Sequence, residues 1–369
     1  MIIDIVKVFL PAVGAFMVGI LFTPFLTNYL YSHQMWKKKA GKTALDGKEA
    51  TVFNSLHQER EVNTPRMGGI VIWFSSSFVI LGIWTISIFF PSETTIKLDF
   101  LSRTQTWVPL ATLIFGALIG LIDDLLEIRG SLNEGEKGGL PAQAGGLSLF
   151  VRLGAVGFIA LLCGLWFYFK LDVVSIGLPF AEIFGQSELY LGPFFILLFV
   201  LVAIFIYAGG VIDGIDGLAG GVFATMFAAY AGIAFYQQQI DLAAFSATIS
   251  GGTLAFLWFN IPPARFYMSE TGTMGLTITL TVVAFMTDIL GGGYGLLVLP
   301  VIALPLVITV LSDVIQIFSK KYRGKKVFMI APLHHHFEAL GWPAYKVTMR
   351  YWIFSTICAI LGITLALIG

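Results

Sequence analysis

Leu121-Ile122-Asp123-Asp124 sets two adjacent carboxylates directly after an apolar run from Val108 to Ile122. Ionised groups are costly in hydrocarbon, so acids at such an edge either lie in the headgroup zone or are held there for a purpose. Their mutual repulsion would be relieved by a hard cation such as Mg²⁺, which prefers oxygen ligands. Two readings stand: solvated acids closing a membrane helix, or part of a metal site. Asp213-Gly214-Ile215-Asp216-Gly217 spaces two more acids by three, on one side of a helical turn, with glycines that permit close backbone approach to a ligand. The segment is expected to start a helix, whose N–H groups can receive phosphate, although acids there can also simply cap it. Pro332-Leu333-His334-His335-His336-Phe337-Glu338 adds three contiguous histidines. These cannot all face one ion from a regular helix, and zinc sites favour spaced ligands. Imidazoles contacting phosphate, or orienting an acid, fit better; the alternative is a polar loop rich in histidine by chance. Glu270, between two apolar segments, carries no function by itself.

The elements that must position these groups are membrane helices. Of 369 residues, 57% are hydrophobic and 12% charged, and the mean hydropathy is +0.86, which excludes a soluble domain of this size. About 20 apolar residues cross a bilayer. About ten candidate spans follow, at roughly 8–30, 67–90, 106–122, 148–169, 190–212, 217–236, 242–260, 272–288, 294–318 and 348–368, the third and eighth short enough to extend into their loops. The expected fold class is an all-α integral membrane protein, one bundle and one domain over 1–369. The first apolar segment follows Asp4 and Lys7 without a small-residue cleavage site and is expected to be a retained helix. Cys163 and Cys358 both fall in apolar segments and read as small buried hydrophobes.

The formal net charge is zero, yet the basic residues are segregated. All but Lys7, Lys97, Arg103 and Lys170 of the 22 fall in the loops or at the span ends of one side, by the spans above. The positive-inside rule makes that side cytoplasmic and places both termini outside. The acid pairs and the histidine run lie on the same face. The basic run Lys320 to Lys326 reads as a topology signal near anionic headgroups. Carboxylates, Mg²⁺ and basic groups together handle pyrophosphate or phosphoryl groups, and the membrane setting points to a lipid as one substrate. Nothing points to nucleic acid.

Thr64-Pro65-Arg66-Met67-Gly68-Gly69, Asp123-Asp124, Asp213 to Ala219, Leu257-Trp258-Phe259-Asn260 and Ala331 to Glu338 occur in this order. The set resembles the polyprenyl-phosphate N-acetylhexosamine-1-phosphate transferases over nearly the whole chain. The histidine run followed by Gly341-Trp342-Pro343 is similar to the phospho-N-acetylmuramoyl-pentapeptide transferase branch. The resemblance implies transfer of phospho-MurNAc-pentapeptide from its UDP carrier to undecaprenyl phosphate, giving lipid I and UMP with Mg²⁺, in a bacterial cytoplasmic membrane. It also implies a homodimer. In this reading Asp123 assists or deprotonates the lipid phosphate, and Asp124 helps bind it or the metal. Asp213 and Asp216 line the nucleotide and pyrophosphate site, and Asp213 and Glu270 hold the metal. Asn260 and Tyr267 contact uridine, His334 and His335 contact phosphate or sugar, and His336 and Arg60 complete the substrate-binding set.

Several positions depart from the family pattern, among them Tyr267 for a usual phenylalanine and Ser269 for a usual glycine. Glu127 stands where a lysine is usual, Gly210 where an asparagine is usual, Glu270 where an aspartate is usual, and Arg66 replaces a more common threonine. An active transferase is therefore weighed against a related transferase of another UDP-sugar and against a degenerate paralogue acting as a membrane scaffold. A secondary transporter would place acids and broken helices near the midplane, not at one face.

Overall fold

In hydrocarbon every backbone polar group must find its partner inside the protein, and a chain this apolar satisfies that demand with helices. The computed structural model describes residues 2–37, 62–101, 105–133, 146–179 and 185–368. Helices α1 (Ile2–Ser32), α2 (Ile70–Phe89), short α3 (Glu93–Leu98), α4 (Trp107–Asn133) and α5 (Leu149–Lys170) come first. A small antiparallel hairpin, β1 (Ser175–Gly177) and β2 (Glu188–Tyr190), pairs Ile176 with Leu189. Then follow α6 (Phe194–Ala208), α7 (Leu218–Tyr236), α8 (Ile240–Asn260), α9 (Ser269–Met286), α10 (Gly295–Ile302), α11 (Leu304–Arg323), α12 (Leu333–Ala339) and α13 (Ala344–Ile368).

The all-α membrane fold is as expected, but the span count differs. Eight of the described helices are long and apolar enough to cross a membrane, or nine if α10 and α11, bent by 66°, form one broken span. The remaining expected span, 272–288, is α9. Its threonines and Glu270 dilute its hydropathy, and it is buried on all sides rather than facing lipid. A helix wrapped by other helices does not need an apolar surface. The same logic orders the bundle: 78% of the apolar window of α7 and of α8 is buried, against 22% for α1 and α5.

Two local expectations are corrected. Asp123 and Asp124 do not close the third span, because α4 continues to Asn133 and both acids are buried within it. The helix can run on because the bundle supplies each acid with partners. Nor do Asp213 and Asp216 cap the helix that follows them: α7 starts after Gly217, which takes the left-handed φ of +77°, and no side chain caps it.

Helices α4 and α9 approach as closely as glycine allows. A Cβ on Gly116 would lie 2.9 Å from Gly275 Cα, and one on Gly120 would overlap the carbonyl of Glu270. Gly116 and Gly120 form the small-xxx-small spacing that brings helix backbones together in lipid. This contact carries the acid pair of α4 to the first turn of α9. Gly120→Ala should force the helices apart, cost about 1–3 kcal/mol, and lower the melting temperature in detergent. Gly82→Ala, whose new methyl would meet nothing within 4 Å, serves as the control; equal melting of the two variants would remove the packing argument.

Candidate active site

The first backbone N–H groups of a helix have no partner within it and carry the positive end of its dipole. At the start of α9 two carboxylates from elsewhere meet that demand. Asp213 Oδ2 accepts from Ser269 N–H at 2.8 Å. Asp124 Oδ2 accepts from Thr271 N–H at 3.0 Å and from its hydroxyl at 2.6 Å. Asp124 Oδ1 is buried without a hydrogen-bond partner among the described residues. Burial pushes the Asp213 carboxyl up to about 6, with the Ser269 N–H and the Arg66 charge pulling it back down.

Asp123 and Glu270 complete the ring. Asp123 Oδ1 accepts from Leu147 N–H at 2.6 Å, and Arg152 Nη1 stands 3.7 Å from its Oδ2. The same Arg152 Nη1 donates to Glu270 Oε1 at 2.6 Å, while Tyr207 donates to Glu270 Oε2 at 3.2 Å. The extra methylene relative to aspartate thus ends on a guanidinium and a phenol. Arg152, Tyr207 and Thr271 were not singled out from sequence. A signal did exist for Arg152, a charge inside an otherwise apolar helix; Tyr207 and Thr271 look like ordinary helix residues.

Asp216 and the histidines form the other flank. Asp216 Oδ2 accepts from Ala264 N–H at 3.1 Å, and its carbonyl accepts from Thr348 of α13 at 3.0 Å. His334 and His335 are buried in α12. A Cβ on Gly214 would overlap His334 Nε2 and lie 2.7 Å from His335 Nε2, so both imidazoles face that turn and a side chain there would displace them. His335 Nδ1 pairs with Glu338 Oε2 at 2.7 Å, which orients the ring. His336 points elsewhere and accepts from Met329 N–H at 3.2 Å.

Asn260 is 1% exposed. Its Oδ1 accepts from Gly217 N–H at 2.9 Å and its Nδ2 donates to the Phe266 carbonyl at 2.8 Å. It ties the acid-bearing turn to the segment leading into α9, a positioning role rather than an open contact. Tyr267 is half-buried, and its backbone pairs with Pro65 and Gly68 at 2.8 Å each. Arg60 lies outside the described residues.

The arrangement brings together Asp123, Asp124, Asp213 and Glu270 around one helix N-terminus, with Asp216, His334 and His335 beside it. No three histidine, cysteine or acidic side chains among the described residues converge as a metal cluster. The donor chemistry nonetheless fits a hard cation: among the described residues the acids exceed the nearby cations, and Asp124 presents an unpartnered buried oxygen. Asp213 and Asp124, which share the start of α9, could offer oxygens to Mg²⁺, and Glu270 could join them only on leaving Arg152 and Tyr207.

Residues 106–288 match the family described as glycosyl transferase family 4. A phospho-N-acetylmuramoyl-pentapeptide-transferase of Chloroflexus aurantiacus is 30% identical over 374 residues, covering 99% of this chain and 91% of the relative. The protein of that name from Latilactobacillus sakei is 32% identical over 351 residues, 95% of each chain. The one from Anoxybacillus flavithermus is 33% identical over 312 residues, 83% of this chain and 85% of the relative.

Glu127 tests whether the unusual charges here are decay or adaptation. It pairs with Lys37 Nζ at 2.7 Å and with Arg66. Restoring the family's lysine by Glu127→Lys sets three cations together in a partly buried place. The expected outcome is a stability loss of about 3 kcal/mol or more, read as a lower melting temperature, and no gain in turnover. A variant that is both more active and equally stable would mean that Glu127 is a lesion.

Proposed function

This chain belongs to the phospho-N-acetylmuramoyl-pentapeptide-transferase family, and from that membership we propose that it transfers phospho-MurNAc-pentapeptide from UDP to undecaprenyl phosphate. The products are lipid I and UMP. The observation that carries the reading is the start of α9, an anion-receiving helix end ringed by Asp123, Asp124, Asp213 and Glu270. One locus where buried carboxylates offer oxygens to a divalent cation, beside imidazoles that can meet phosphate, suits a phosphoryl transfer whose work is positioning and charge stabilisation.

The bond that forms joins an oxygen of the lipid phosphate to the phosphorus that bears the sugar. The bond that breaks is the pyrophosphate link to uridylate, and UMP leaves with that electron pair. Asp123, set by Leu147 and Arg152, takes the proton of the lipid phosphate. Asp213 and Asp216 bound the nucleotide side, and His334 and His335 receive phosphate or sugar oxygens through Nε2. Mg²⁺, held by Asp213 and Glu270 with Asp124 beside them, would neutralise the pyrophosphate and stabilise the leaving UMP. The segregation of basic loops supports a cytoplasm-facing site with both termini outside.

A second reading, a catalytically silent membrane scaffold, is favoured by one contact, the Glu270 carboxylate committed to Arg152 and Tyr207. UMP release by the full chain in detergent separates the two. The expected result is release that needs UDP-MurNAc-pentapeptide, undecaprenyl phosphate and Mg²⁺ together, and that stops with EDTA. Asp123→Asn should lower kcat by about 10²-fold or more, the scale of a lost general base. UDP-N-acetylglucosamine should not replace the first substrate. No release where a relative turns over would leave the scaffold reading in place.

A further inference from the structure

Just outside the carboxylate ring, two basic side chains from different segments converge on one acid. Lys37 stands 2.7 Å from Glu127 Oε1, and Arg66 Nη1 contacts Oε2. Glu127 follows Asp123 by four residues and Asp124 by three, so α4 presents all three acids along neighbouring rows of one side. The backbone around Arg66 is strapped on both flanks. Arg66 N–H donates to Met35 O, and Pro65 and Gly68 pair with Tyr267, each at 2.8 Å. The side chains of Lys37, Arg66 and Glu127 are only 11%, 21% and 15% exposed. Gly69 N–H donates to Met268 O at 3.2 Å, so the segment that carries Arg66 lies beside the residues leading into α9.

Stability alone explains this triad poorly, since the desolvation cost of buried ion pairs commonly cancels their attraction. Two cations share this carboxylate, so Arg66 does not spend its whole fork on it, and its segment lies against the lead into α9. The acids that ring α9 would repel a phosphate brought to them; a guanidinium at their edge would offset the repulsion. Arginine suits the task because its planar fork carries five N–H donors, more than one carboxylate can use, and matches phosphoryl oxygens two at a time. Lys37 on Oε1 leaves Oε2 to Arg66, which sets the plane of the guanidinium.

We infer that Arg66 grips a phosphoryl oxygen of the substrate at the edge of Asp124 and Asp213, and that Glu127 is the positioning residue that aims it. The inference rests on the transferase reading and names a contact within that site. Lipid phosphate and nucleotide pyrophosphate offer the same chemistry, and the experiment separates them. Each substrate alone cannot turn over, so its binding to the full chain in detergent can be measured by intrinsic tryptophan fluorescence. Arg66→Ala should weaken binding of undecaprenyl phosphate or of UDP-MurNAc-pentapeptide at least tenfold, and the weakened one identifies the source. Arg66→Lys, which keeps the charge without the fork, should recover part of the loss and covers the case of a misfolded alanine variant. Glu127→Gln should weaken the same substrate and raise its KM more than it lowers kcat. In the Arg66→Ala background it should add nothing. Unchanged binding of both substrates by folded Arg66→Ala, or effects of the two substitutions that simply multiply, would overturn the assignment. Arg66-dependent binding without any UMP release would sink the transferase reading and leave this contact standing.

Discussion

The structure depends on a helix that begins in the middle of a bundle. The start of α9 leaves N–H groups that water cannot reach and its own turn cannot satisfy. Asp213 and Asp124 meet them, and in doing so are fixed in place. The acids and the helix end hold each other: without the acids the N–H groups are orphaned, and without the helix end the carboxylates are buried charges with little to stabilise them. The glycine contact between α4 and α9 is part of the same constraint, because any side chain at Gly120 would hold Asp124 away from Thr271.

Charge is the second theme. Among the described residues the carboxylates around α9 outnumber the cations, and each of those cations arrives from a segment distant in sequence. Arg152 comes from α5 to Glu270, and Lys37 and Arg66 come from either side of the region between α1 and α2 to Glu127. The residues that depart from the family pattern are therefore partnered. Glu270, one methylene longer than aspartate, reaches an arginine; Glu127, reversed in sign, meets an arginine where threonine is more common. Gly210 has no such partner change; a Cβ there would lie a tight 3.3 Å from Thr273 Cβ. Decay leaves unmatched charges, whereas these are matched.

Positioning and contact are divided among residues that look alike in sequence. Asn260 spends both ends of its amide on backbone, and α13 holds the acid-bearing turn through Thr348 and Trp352, the latter donating to Gly217 O at 3.0 Å. His334 and His335 turn their Nε2 atoms to that turn, whereas His336 serves its own loop. A run of three identical residues thus splits because consecutive side chains on a helix point about 100° apart.

Composition alone determined that this chain is a polytopic helical membrane protein, because apolar runs of bilayer length have no other stable arrangement. The spacing of Asp123-Asp124, the 213–217 turn and the histidine run also marked where the chemistry lies, since charges among apolar residues are conspicuous by cost. Tertiary structure decided the rest. Hydropathy reports what faces lipid, so it could not reveal that α9 is wrapped by other helices, or that α4 runs past its acids. Whether Glu270 meets Arg152, and Glu127 meets Lys37 and Arg66, depends on helices brought together by packing. No one-dimensional spacing encodes an ion pair between segments that far apart.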